Sequence, residues 1–117
     1  MQKALLSAVT ATTTSAGENT ENLRDITVLL FASDITSGNG AFAFDATNDG
    51  TNWVTGIGFL DAKATARTTF VTSLSVTSNT VPQMALIPGG YKMIRVVCTR
   101  TTDGTYSAIM SANKVAA

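Results

Sequence analysis

The 117-residue chain has no histidine, one cysteine, two prolines and one tryptophan. Without histidine it lacks the side chain that most often serves as a general base at neutral pH, which is also the commonest metal ligand. The single cysteine, Cys98, excludes an internal disulfide and, without other strong ligands, cannot build a zinc centre. Charge is scarce as well. Asp, Glu, Lys and Arg make up 14% of the residues, and eight cations balance eight acids. A neutral chain has no field to draw in a polyanion, so nucleic acid is not expected as a partner. No run approaches the ~20 apolar residues of a membrane-spanning helix, so no membrane partner is expected. The apolar run Ala4–Val9, interrupted by Ser7, is also shorter than the roughly 7–15 residues of a secretory signal core. Together these absences argue against an enzyme.

Threonine takes the place of charge, filling about a sixth of the chain, where Leu, Ala and Gly normally lead. It is β-branched and suits a pleated, half-buried surface. A chain of this length folds as one domain, 1–117, around a single core.

Hydrophobic alternation supplies the elements. Residues 1–12 read as a first strand or an N-terminal arm. "DITVLLFAS" is a strong strand with Ile26, Val28, Leu30 and Ala32 on one face. Its other face carries Leu29 and Phe31, more apolar than a strand buried on one side should be. "AFAFDAT" alternates cleanly, and Asn48-Asp49-Gly50 reads as a tight hairpin turn. "TNWVTGIGFL" is then expected as a strand with Trp53, Thr55, Ile57 and Phe59 on one face, which makes Trp53 a core residue. "DAKATART" reads as a connector and "TTFVTSLSVTS" as a long strand. "NTVPQMALIPGG" reads as a loop, "YKMIRVVCTR" as a strand, "TTDGT" as a second hairpin turn and "YSAIMSANK" as the last strand. Seven or eight strands with turn signals about every ten residues predict an all-β antiparallel sandwich or jelly roll.

No catalytic, cofactor-binding or metal site is expected. Asn48-Asp49-Gly50 could offer oxygens to calcium, but a hard cation wants six to eight ligands and Asp45 is the one carboxylate nearby. Arg95 lies between apolar positions, as an edge charge, as the partner of a carboxylate such as Asp45, or, as a weaker alternative, as a ligand contact. Cys98 reads as a small buried hydrophobe. There is no Gly-x-Ser-x-Gly elbow and no phosphate-binding glycine loop. The surplus apolar residues are the least comfortable feature. Leu29 and Phe31 form one group, and Met84, Leu86 and Ile87 another; these five are expected either to contact a partner or to be covered by the N-terminal strand and the loops.

"DATNDGTNWVTG" resembles the Ser-Asn-Asp-Gly-x-x-Trp hairpin of discoidin-like, galactose-binding-type jelly rolls, and "GGYKMIRVVCTR" is similar to the Arg-Tyr-Ile-Arg-Val strand later in those domains. Small proteins that combine these features with a Thr-rich N-terminal strand resemble structural proteins of tailed bacteriophages, of the capsid decoration or cement type. The resemblance implies that Asp49, Gly50, Trp53 and Arg95 are framework residues. It implies a virion protein, made in the bacterial host cytoplasm and bound to the major capsid protein or another virion protein, with a homo-oligomer, a trimer above all, expected. A tail or head-fibre accessory protein is the alternative. So is a carbohydrate-binding module for host attachment, with Tyr91 or Tyr106 as the exposed aromatic. Residues Met1–Val9 are expected to add to a neighbouring sheet edge.

Overall fold

The computed structural model describes residues 1–65 and 69–115. Among the described residues there are ten strands: β1 (Gln2–Val9), β2 (Thr13–Thr14), β3 (Glu18–Asn19), β4 (Leu23–Ser33), β5 (Asn39–Thr47), β6 (Leu60–Asp61), β7 (Leu74–Val76), β8 (Gln83–Ile87), β9 (Met93–Thr101) and β10 (Thr105–Lys114). All pairings are antiparallel. One sheet runs β1-β10-β4-β8-β6. The other runs β2-β9-β5-β7, with β3 also pairing β9.

The pairing is nested. β1 pairs β10, β2 and β3 pair β9, β4 pairs β8 and β5 pairs β7. This is a long antiparallel ribbon wrapped once over itself, the connectivity of a jelly roll. The expected all-β sandwich is present. The strand count is higher than seven or eight because β2, β3 and β6 are two-residue pieces.

The two-residue period decides what is buried. β4 sends Ile26, Val28, Leu30 and Ala32 inward; β5 sends Phe42, Phe44 and Ala46; β9 sends Ile94, Val96 and Cys98; β10 sends Tyr106, Ala108 and Met110. Phe44 meets Phe59 edge-on, with ring centroids 5.0 Å apart, and Phe42 meets Tyr106 at 6.3 Å. Gly40 is required here, because a Cβ at this position would strike the Tyr106 ring.

Three expectations are corrected. "TNWVTGIGFL" is not a strand. Residues 48–58 leave the end of β5 and loop back along its edge, where Ala46 and Val54 exchange backbone hydrogen bonds and Ile57 N–H donates to Phe44 O. Between these contacts Gly56 turns with φ of 65°, and its N–H donates to the Asp45 carboxylate, which interrupts extended geometry. This loop takes the β5 edge that a longer β7 would need. β7 is therefore three residues rather than the long strand expected, and Phe70 is exposed. Finally, "VPQMALIPGG" contains β8 and is not all loop: Pro82 and Pro88 bound the strand without interrupting its ladder. Residues 66–68 of the "DAKATART" connector lie outside the described residues.

β1 lies in the chain's own sheet, so the N-terminal segment is a strand and not a free arm. Leu6 reaches the core, and the Met1 amine donates to Ala112 O at 2.9 Å. The register slips between Ala4 and Leu6 and again before Val9, where Ala8 takes φ of 51°. Such bulges twist an edge strand away from indiscriminate pairing.

Candidate functional site

The outward face of the β1-β10-β4-β8-β6 sheet collects the surplus apolar residues. Register places Ala4 beside Ile109, Ile109 beside Leu29, and Leu29 beside Met84, a continuous apolar row across four strands. A second row runs from Thr27 through Leu86 to Leu60. Phe31 is 36% exposed at one end of this face and Val81 is 49% exposed beside it. Leu29, Phe31, Val81, Pro82 and Ile109 line an open groove of about 370 Å³ against the 78–80 turn.

Of the five residues expected to contact a partner, Leu29, Phe31, Met84 and Leu86 share this face. Ile87 does not: it pairs with Ile26 and is buried in the core, because the strand period turns it inward. Sequence reading missed Ile109, Leu60 and Ala4. The signal for Ile109 was present, since it is the apolar residue between Ser107 and Ser111 on the outward phase of β10.

The four framework residues gather on the other sheet and its hairpin. Asp45 and Arg95 are cross-strand neighbours, and Arg95 Nε lies 2.9 Å from Asp45 Oδ2. The same guanidinium sits 4.2 Å over the Trp53 ring. Trp53 is therefore half-buried outside the core, contrary to expectation: with residues 51–53 off the sheet, its ring lies over Arg95 and against Gly17. Of the roles expected for Arg95, the carboxylate pairing is the one observed.

Asp49 closes the hairpin. Its carboxylate accepts N–H from Thr51 at 2.8 Å and from Asn52 at 2.7 Å, and also takes the Asn52 amide and the Thr47 hydroxyl. These bonds, those from Asn52 foremost, hold its carboxyl far below the usual aspartate range. Gly50 follows with φ of 80°. Both oxygens are already engaged, and among the described residues no three His, Cys, Asp or Glu side chains come together to hold a metal. Burial pushes the Cys98 thiol up to about 11.

The loops 20–22, 48–53 and 88–92 form one end of the sandwich. Ala46, Asn48, Asn52, Val54, Ile57 and Tyr91 line a cleft of about 430 Å³ there. A second cleft, of about 580 Å³, shares Asn48 and Tyr91 and adds Thr20, Glu21, Asn22 and Lys92. Tyr91 is half-buried. Tyr106, its expected counterpart, is fully buried, with its hydroxyl donating to Asp103 O at 2.8 Å.

No protein-family model matches the chain, and no curated protein does. Among solved structures, its fold is similar to the crystal structure of SPBc2 prophage-derived protein YomS, with a TM-score of 0.70 and 12% sequence identity over 97% of this chain and 92% of that one. The jelly roll built by this sequence is thus also the fold of a prophage-derived protein.

Proposed function

We propose that this chain is a non-enzymatic structural protein of a phage particle, of the decoration type, which binds the outside of the head shell and stabilises it. The observation that carries this reading is the apolar row Ala4–Ile109–Leu29–Met84 with Phe31 and Val81 beside it. A small domain that turns such rows outward usually does so for a protein partner. The fold shared with a prophage-derived protein supports a phage setting. The carboxylates of Asp45 and Asp49 are engaged in the fold itself and Cys98 is buried, which fits a role without chemistry.

The mechanism is linkage. A protein that binds the assembled shell and not its loose subunits shifts the equilibrium towards the shell, more so with each copy bound. Ala, Ser and Thr on the docking surface lose little rotamer freedom at a contact. Copies related by the shell's symmetry sit as trimers on it. The test is co-sedimentation with purified particles. Wild-type protein pellets with them. Phe31→Asp, which charges the apolar face without entering the core, lowers the bound fraction at least tenfold while leaving the circular dichroism spectrum unchanged. Equal binding by the two proteins would refute this docking face.

A further inference from the structure

We infer, on the basis of the docking face proposed above, that the shell protein meets it with an uncharged, largely apolar surface and not with an acidic or basic arm. The placement of charge on the β1-β10-β4-β8-β6 sheet carries this.

Register sets the outward residues of that sheet in rows. The apolar row of Ala4, Ile109, Leu29 and Met84 runs through the middle. On one side of it Gln2, Ser111, Thr27 and Leu86 stand abreast. On the other side Ser107 stands beside Phe31, and Thr105 beside Ser33. An apolar centre inside a polar rim is the usual anatomy of a protein contact. Here the rim is mostly hydroxyl, which both donates and accepts, so it asks for no charge of either sign.

No Asp, Glu, Lys or Arg occupies any of these positions. The charged residues of the same strands are directed elsewhere. Lys3 has the inward phase of β1, opposite Met110, and reaches Glu18 on the other sheet at 2.8 Å. Asp61 is paired with buried Ala85 and accepts the Lys63 N–H at 2.9 Å. Arg24, Asp25 and Lys114 lie at the far end, where β4 begins and β10 ends, and Asp25 accepts the Asn113 amide. Asp34 comes just after β4 and accepts from the Thr105 hydroxyl at 3.4 Å. A charged arm laid on this face would lose water and gain no counter-charge, whereas an uncharged surface has no such cost.

The groove beside Phe31 agrees. The polar groups of its 78–80 wall are engaged within the chain: the Asn79 amide accepts Ile35 N–H and donates to Ile35 O, and the Ser78 and Thr80 hydroxyls bond each other. What this recess of about 370 Å³ offers a partner is the apolar lining of Leu29, Phe31, Val81, Pro82 and Ile109.

The test is co-sedimentation of the full chain with purified particles at rising salt. Going from about 0.1 M to about 1 M sodium chloride shortens the screening distance from about 10 Å to about 3 Å. The bound fraction of the wild type is expected to change less than about twofold over that range. Added charges of either sign are expected to act alike. Phe31→Asp and Phe31→Lys both lower binding at least about tenfold. Ser111→Asp and Ser111→Lys, which probe the rim should a Phe31 variant fail to fold, both lower it about threefold. Overturning results are wild-type binding that falls more than about fivefold at high salt, or one sign of charge that binds as well as the wild type while the other does not. Either leaves the docking face standing and changes only its partner. No wild-type binding at any salt overturns the docking face and this partner together. Self-association of the free chain that Phe31→Asp abolishes makes a second copy the occupant, and overturns the inference too.

Discussion

Asp45 is buried in the sheet with two partners, the Arg95 guanidinium and the Gly56 N–H. Removing the cation strands a carboxylate in a site built to receive one. Arg95→Ala is expected to cost about 3 kcal/mol, read as a fall in the urea midpoint at constant slope. Arg95→Lys keeps the charge but not the flat stack on Trp53, and costs about 1 kcal/mol. At the other end of the sandwich, Asp103 accepts N–H from Thr36, Ser37 and Gly38. These bonds, led by that from Thr36, hold its carboxyl below the ordinary aspartate range. The folded state therefore prefers the ionised form. Its contribution is complete above the unfolded-chain pKa of about 3.9 and is lost as pH falls through the lower folded value. Amide-exchange protection at residues 36–38 should drop on acidification through that window, and in Asp103→Ala, which has no side-chain acceptor, it should be low at every pH. The inward residues were legible in the sequence because alternation alone places them. Trp53 was not: Trp53, Ile57 and Phe59 imitate a strand phase, and only the Asp45 contact to Gly56 breaks it.

Among the elements, β1 carries the sharpest consequence. Its pairing with β10 covers an edge of the main sheet, and Leu6 fills the core beneath it. Deleting Met1–Val9 exposes that edge and loses at least about 2 kcal/mol for the leucine alone. A lower melting temperature and aggregation on heating are expected, and an unchanged melt would contradict the role assigned to β1. The long strands β4, β9 and β10 were legible because each alternates over about nine residues, and β5 because it alternates as far as Phe44 before its end is buried on both sides. β8 was hidden between two prolines that read as loop signals, and β7 was overestimated because nothing local reveals that residues 54–57 occupy its place on β5. Edges are settled by competition between distant segments, which periodicity does not record.

At the scale of the whole molecule, the nested ribbon makes a block of 46 × 33 × 24 Å whose two sheet faces differ in character. One outward face is apolar along β10, β4 and β8. The other carries Ala41, Ala43 and Thr99 beside the Asp45–Arg95 pair. The all-β class followed from composition and alternation. The order of strands did not, because a period of two says which side faces in and not which strand lies alongside. That order is what brings Ile109, Leu29 and Met84 from three strands into one row. Under the proposed function, a phage shell covers this row. The most direct measurement is the copy number of the chain, relative to the major shell protein, in purified particles made with either wild-type protein or Phe31→Asp. A fixed ratio is expected for the wild type, with density on the outer shell surface, and its loss in the variant. Particles without the chain, or an equal ratio in both, would contradict it.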